Sequence, residues 1–370
     1  SALEPRSVRR RRLLRTLTPV KRSEPLDGLR GVAVLMVLLS HASNGGHDAL
    51  PGLDAAGIGR AGVFLFFVLS SFLLTSQVLG RLDAGEPVGW RRFAVRRFMR
   101  VLPAYAVCLG LYVGLGEFSP EVGLRHLSLS RGEAHFWTVP VELLFYLTLP
   151  ALGLVLSTLP GVAARTTALV AGIAALSWAF PPDYPARAPD FTPNVLPFMP
   201  VFLAGSLLAV LAPRLASLGG AGGRVLAWSG WGAAAGILLL TPSVTSAVFG
   251  EPVPHRRFHL WFLEHAALWS LVVAACLVPG GALLRRALSW RPLTFVGRIS
   301  YSVYLYHAVA LALAAASPLG EGERWVGLTG VTLSLLLGAV SYALIERPSL
   351  KISRGGGGQL SLPAEVAAAE

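Results

Sequence analysis

The chain has 370 residues, of which 54% are hydrophobic and only 14% are charged. Soluble domains carry about 25% charged residues, and here long apolar runs recur along almost the whole length, which excludes a soluble globular protein. The predicted fold class is an all-α polytopic integral membrane protein with about ten transmembrane helices. The predicted spans are approximately 26–45, 59–80, 98–117, 136–158, 163–180, 195–213, 224–249, 259–279, 294–317 and 324–345.

The net charge of +12 is better explained by membrane topology than by nucleic acid binding. If the first span starts in the cytoplasm, most of the 32 lysines and arginines fall in cytoplasmic segments, as the positive-inside rule predicts. Both termini are then cytoplasmic. The predicted organisation is a basic cytoplasmic arm at 1–25, a membrane domain at 26–350 and a flexible cytoplasmic tail at 351–370.

The first span carries Asp27, Arg30 and His41 on one stripe. Arg30 and His41 are eleven residues apart, which places them within about 20° on the helix face and about 16 Å apart along its axis. A charged group facing lipid costs about 2.5–3.5 kcal/mol, which favours a protein interior or a watered cavity. The alternative is that Asp27 and Arg30 form a polar helix start at the membrane interface and that His41 is a single core histidine. This interpretation fits the spacing equally well.

A cluster of arginines precedes the third span. Arg97 and Arg100 are three residues apart and hence on one helical face, and paired guanidiniums suit a phosphate-rich ligand because each offers a bidentate fork. The alternative is that these side chains reach to lipid headgroups as positive-inside arginines do. The cluster contains six arginines on the predicted cytoplasmic side, Arg81, Arg91, Arg92, Arg96, Arg97 and Arg100.

Two later spans carry further polar candidates. Glu142 lies inside an apolar run, where a carboxylate needs either a partner such as an arginine or a chemical task. The ninth span is rich in hydroxyl groups and includes Tyr301 and His307, which could contact a substrate or bond between helices. The last span ends at Glu346, which is predicted to meet the cytoplasm.

No metal site is expected. Three histidines, His255, His259 and His265, lie close together in sequence, but Arg256 and Arg257 would repel a cation and no Cys or Asp completes a ligand set.

Five motifs that contain the residues described above resemble, in their order along the chain, those of the membrane O-acyltransferases of acyltransferase family 3. The resemblance extends over about Leu26 to Leu350. Ser71 stands where that family usually has glycine, which leaves the close packing of the second span open. The matching motifs are Arg30 and His41 in LDGLRGVAVLMVLLSH, FFVLSSFL, Arg97 and Arg100 in RRFMRVLP, Glu142 in WTVPVELLFY, and His307 in ISYSVYLYH.

The resemblance implies transfer of an acyl group, commonly acetyl, from acyl-coenzyme A to a hydroxyl of a cell-envelope carbohydrate or glycolipid at a bacterial cytoplasmic (inner) membrane. A neutral imidazole is well suited to take the proton of an alcohol at neutral pH, so His41 is the expected base. His41 could alternatively carry the acyl group as an acyl-imidazole.

The other residues receive supporting roles from the same resemblance. Arg30 is expected to orient His41 or bind the donor, with Asp27 fixing Arg30. Arg96, Arg97 and Arg100 are expected to bind the coenzyme A phosphates. Glu142 is placed either behind the reacting groups, where it would support them, or at the acceptor hydroxyl, and Tyr301 and His307 are expected to contact the acceptor. The roles assigned cover His41, Arg30, Asp27, Glu142, Arg96, Arg97, Arg100, Tyr301 and His307.

Three alternatives stay open at this point. The acceptor could be a secondary metabolite such as a macrolide, since an Ala-, Gly-, Arg- and Leu-rich composition is typical of a GC-rich bacterium. A glycolipid transporter or flippase would also need many spans and buried polar groups, but would turn over no thioester. A non-catalytic membrane scaffold would tolerate loss of His41.

Overall fold

The computed structural model describes residues 23–50, 53–180, 192–250, 260–317 and 323–355, and within these ranges it contains helices and no β-strand. The predicted all-α class is therefore confirmed. The fourteen α-helices of the described ranges are α1 Glu24–Asn44, α2 Gly59–Asp83, α3 Trp90–Gly114, α4 Pro120–Leu127, α5 Thr138–Thr158, α6 Gly161–Ala179, α7 Met199–Ala216, α8 Gly220–Leu239, α9 Pro242–Phe249, α10 Phe262–Leu277, α11 Ala282–Leu288, α12 Arg291–Ala315, α13 Glu323–Ser341 and α14 Arg347–Gly355.

Among the described residues, six helical stretches are long and apolar enough to cross a membrane, or up to eight if each of two sharply bent helix pairs forms one span. A helix of about 20 residues is about 30 Å long, which matches the hydrocarbon core of a bilayer. The six are Glu24–Asn44, Gly59–Asp83, Ala134–Thr158, Gly161–Ala179, Leu196–Ala216 and Trp325–Ser353, and the bent pairs are α8 with α9 and α10 with α11.

Helix α2 lies at the centre of the molecule. It packs against α1, α5, α7 and α10, and 83% of the residues in its most apolar 18-residue stretch are buried. A helix that is apolar all round is expected in such a position. In helix α6, by contrast, only 6% of the residues in the most apolar 18-residue stretch are buried, and the helix contacts chiefly α7. Most of its apolar surface is therefore exposed, as expected for a helix that faces lipid.

Glycines allow α1 and α12 to approach closely beside Asp27 and Arg30. A Cβ on Gly297 would overlap the carbonyl oxygen of Asp27, and a Cβ on Gly31 would overlap that of Leu293. Small residues of this kind let helix backbones approach in membrane proteins, where no hydrophobic effect drives association. The start of α1 is therefore fixed against α12.

Ser71 is accommodated by a glycine on the neighbouring helix. The serine is fully buried and its hydroxyl donates to the carbonyl oxygens of Phe67 and Val68 on its own helix. It lies against Gly205 of α7, where a Cβ would overlap Ser71 Oγ. The close packing of α2 is kept, with the small residue supplied by α7.

The C-terminal helices differ from the predicted boundary. A π-helical turn at Tyr342–Glu346 joins α13 to α14, and the helix continues to Gly355 rather than ending near Glu346. Glu346 was predicted to meet the cytoplasm, and this is wrong, since the residue is only 2% exposed and accepts a hydrogen bond from Ser302 of α12 at 2.9 Å. The predicted arm and most of the predicted tail, residues 1–22 and 356–370, lie outside the described residues.

Candidate active site

A cavity of about 290 Å³ opens where α1, α2, α3, α5 and α12 converge. Five residues predicted for the site line it, one or two from each of four separate helices. The other four, His41, Asp27, Arg96 and His307, do not line it. The predicted residues in its wall are Arg30, Arg97, Arg100, Glu142 and Tyr301, and Thr138 and Tyr304 also line it.

The guanidinium groups of Arg97 and Arg100 are available for a ligand. Among the described residues, neither forms an ion pair, and the only hydrogen bond of Arg97 is a long one of 3.5 Å to the neutral Gln77. The Nε of Arg97 is buried without a hydrogen-bond partner in the same ranges. Two half-buried cations with unused donors in one cavity are suited to bind an anion.

Arg30 lies in the same cavity but is engaged on one side. Its guanidinium approaches the buried carboxylate of Asp27 at 3.9 Å, which agrees with the predicted pairing. The carboxylates of Asp27, Glu142 and Glu346 act electrostatically on Arg100. Arg96 is exposed and does not line the cavity, so the structure does not bring it together with Arg97 and Arg100.

Glu142 is held by two hydroxyl groups. Ser70 of α2 donates to its Oε1 at 2.7 Å, and Tyr146, one turn further along α5, donates to the same oxygen at 2.5 Å. The structural alternative, direct pairing with an arginine, is not observed, since no described arginine lies within ion-pair distance. Glu142 therefore presents a fixed carboxylate in the wall of the cavity.

His41 belongs to a group of three histidines at the opposite end of α1. Its ring meets that of His307 edge to face, with centroids 4.7 Å apart, and His307 meets His135 at 4.6 Å. His307 and His135 are buried, whereas the side chain of His41 is exposed. His135 was not identified from the sequence, although it lies two residues before Trp137, the first residue of the motif that contains Glu142.

Tyr304 joins this group to the cavity. Its hydroxyl lines the cavity, donates to the carbonyl oxygen of His135 at 2.5 Å and accepts from Thr138 at 2.9 Å. The carbonyl oxygen of Tyr304 accepts a bond of 2.6 Å from His307 Nδ1. The hydroxyl of Tyr301 donates to the carbonyl oxygen of Val101 at 2.9 Å, so this residue makes the helix–helix bond that was one of its two predicted roles.

Arg60 was also missed. It is the second residue of α2, and its guanidinium stacks over the ring of Trp137 at 4.6 Å from the centroid. In the sequence it is a cation at the edge of an apolar run, where an arginine is usually expected to reach the membrane surface.

No group of three or more metal-binding side chains occurs in the part of the chain that the structure describes. His265, the third histidine of the rejected set, is buried and its Nδ1 donates to the carbonyl oxygen of Trp261 at 2.5 Å. His255 and His259 lie outside the described residues.

The fold and cavity are those of a multi-helix membrane protein with a polar interior site. A family model described as an acyltransferase domain, acyltransferase family 3, matches residues 24–344, and the chain belongs to this family. No solved structure matches the chain.

Curated relatives are similar over most of this chain. OatA of Listeria monocytogenes, a peptidoglycan O-acetyltransferase, is 24% identical over 88% of this chain and 55% of its own length. YrhL of Bacillus subtilis, named as a candidate peptidoglycan O-acetyltransferase, is 27% identical over 87% of this chain and 54% of its own length. Nodulation protein 10 of Rhizobium leguminosarum is 27% identical over 88% of this chain and 93% of its own length. The chain thus spans about half the length of the first two.

Proposed function

We propose that this protein is a membrane O-acyltransferase that moves an acyl group, acetyl in the first instance, from acyl-coenzyme A to a hydroxyl of a cell-envelope carbohydrate. The names of OatA and YrhL make peptidoglycan or its lipid-linked precursor the first acceptor to test. The observation that carries the proposal is a cavity with unpaired arginines in its wall that reaches, through Tyr304, the histidines around His41.

Arg97 and Arg100 are suited to hold the phosphates of the donor. Both line the cavity, and neither has an ion pair among the described residues. Arg30, on the same wall, adds a third guanidinium that Asp27 keeps in place. A thioester held at this end extends along the cavity towards Thr138 and Tyr304.

His41 is the proposed base for the acceptor hydroxyl. It lies on the exposed side of the histidine group, where an acceptor can reach it, and His307 contacts its ring from the buried side. A positioned imidazole of this kind contributes about 10²–10⁴-fold to proton transfer from an alcohol. Glu142 lines the same cavity as the arginines and Tyr304 and is proposed to order its polar wall.

The proposed membrane arrangement has ten spans. The six apolar helical stretches and the two bent pairs account for eight. Helices α3 and α12 have 25 residues each, long enough to cross, but their arginines and hydroxyl groups lower their hydropathy. With ten spans both termini lie on one side, which the positive-inside rule assigns to the cytoplasm of a bacterial inner membrane.

The test is a transfer assay on the full chain in detergent. Radiolabelled acetyl-coenzyme A is incubated with a lipid-linked peptidoglycan precursor, peptidoglycan fragments or a bacterial envelope extract. We expect wild type to label one of these fractions and His41→Gln to lower kcat by at least about 100-fold. Arg97→Gln is expected to raise the KM for acetyl-coenzyme A about tenfold or more, with a smaller effect on kcat.

Arg214→Gln supplies the matched control, because Arg214 does not line the cavity. Its kinetics are expected to equal those of wild type. Transfer by His41→Gln at the wild-type rate would overturn the assignment of the base. Absence of thioester turnover by wild type with every acceptor would contradict the acyltransferase proposal and favour a transporter.

A further inference from the structure

Arg60 stacks beside the cavity wall and acts electrostatically on His41, and no sequence motif explains it. Its guanidinium stacks over Trp137, and the next residue along the chain, Thr138, lines the cavity. The hydroxyl of Thr138 donates to that of Tyr304, and Arg60 acts electrostatically on Tyr304. One side of Arg60 is thus adjacent to the end of the cavity.

Arg60 also lies in the region where α1 and α2 touch. A Cβ on Gly59 would lie 3.0 Å from the Cβ of Ser40, so the two helices are in contact one residue before Arg60 and His41. Arg60 acts electrostatically on His41. A cation near a proposed base is suited to stabilise an anion that forms there during the reaction.

Arg60 has hydrogen-bond donors to spare. Apart from its stacking on Trp137, it forms no hydrogen bond and no ion pair with any residue that the structure describes. The stacking fixes the plane of the guanidinium while its N–H groups stay unused. A cation held in this way is pre-organised for negative charge that develops during a reaction.

We propose that Arg60 stabilises the oxyanion formed in acyl transfer at His41, an inference that rests on the proposed function. His41 takes the proton of the acceptor hydroxyl as its oxygen forms a bond to the thioester carbon. The carbonyl π-electron pair moves to the carbonyl oxygen, where Arg60 donates hydrogen bonds to the negative charge. When this electron pair re-forms the carbonyl double bond, the carbon–sulfur bond breaks. The coenzyme A thiolate then leaves and takes up the proton from His41.

The test compares Arg60→Gln and Arg60→Lys in the same acetyl-coenzyme A assay. We expect Arg60→Gln to lower kcat about 10²–10³-fold with the KM values of donor and acceptor changed less than threefold, as for loss of an oxyanion donor. Arg60→Lys keeps the charge but not the planar, two-pronged guanidinium, so its kcat is expected to lie between those of wild type and Arg60→Gln. Arg81→Gln is the matched control, because Arg81 is an exposed arginine on the same helix.

Folding and donor binding are measured separately, by the melting temperature in detergent and by equilibrium binding of coenzyme A. If Arg60→Gln melts and binds like wild type but has lost kcat, the proposal is supported. A wild-type kcat in either variant, or a raised acceptor KM with unchanged kcat, would overturn it, the latter identifying Arg60 as an acceptor-binding group. If Arg60→Gln does not fold, the kcat of Arg60→Lys is the test. A kcat below that of wild type supports the proposal, and a wild-type kcat overturns it. Failure of wild type itself to turn over acetyl-coenzyme A would refute the proposed function instead.

Discussion

The Nδ1 atom of His307 donates its hydrogen to the carbonyl oxygen of Tyr304 at 2.6 Å, and a carbonyl oxygen can only accept. In the neutral ring the lone pair is therefore on Nε2, which is buried and has no hydrogen-bond partner among the described residues. His41 lies against this ring at 4.7 Å. We predict that His307 positions the ring of His41 and that its Nε2 lone pair assists proton transfer there.

Replacing His307 by Phe keeps the aromatic packing against His41 and His135 but removes the lone pair. We expect kcat for acetyl transfer to fall about 10–100-fold, the equivalent of about 1–3 kcal/mol for loss of a buried polar contact, with the donor KM unchanged. Steady-state kinetics in the acetyl-coenzyme A assay provide the measurement. Unchanged kcat would show that His307 only packs.

His126 provides the matched control for that substitution. It is a fully buried histidine that stacks on Phe118 and whose Nδ1 lies 3.3 Å from the hydroxyl of Tyr105, away from His41. Burial, with a smaller contribution from Arg131, lowers its pKa to about 4, so the ring is neutral at pH 7 and its replacement by Phe removes no charge. His126→Phe is expected to leave kcat within a factor of about three of wild type, and a loss equal to that of His307→Phe would point to a general packing effect.

At the scale of the helices, the contact between α1 and α12 sets the position of the predicted donor residues. Gly297→Val would force a side chain onto the backbone at Asp27, and overpacking of this kind costs about 1–3 kcal/mol. We expect a lower melting temperature in detergent together with a raised donor KM, because Asp27 and Arg30 shift with the backbone. Gly110→Val, at a glycine of α3 with nothing within 4 Å, is expected to leave the donor KM unchanged.

The same helices show what sequence reasoning can and cannot reach. Arg30 and Glu142 could be predicted because an intramembrane charge is expensive and each stands out within its own apolar run. Arg97 and Arg100 could be predicted because their spacing puts two guanidiniums on one helical face. Arg60 and Glu346 were missed or misplaced because each lies at a helix end, where local sequence predicts an exposed charge. Their burial or stacking depends on partners contributed by distant helices, a tertiary property that no local pattern carries.

For the whole molecule, the proposed orientation places the α2–α3 loop in the cytoplasm and the α3–α4 loop outside. Each contains an exposed glutamate, Glu86 and Glu117 respectively, and the two native cysteines, Cys108 and Cys276, are buried. In intact cells, a membrane-impermeant maleimide is expected to label Glu117→Cys but to reach Glu86→Cys only after permeabilisation. The reason is that α3 carries its arginines at the Glu86 end, and positive residues stay on the cytoplasmic side. Labelling of Glu86→Cys without permeabilisation would invert the topology and place the arginine-lined end of the cavity outside, where no acyl-coenzyme A is available to it.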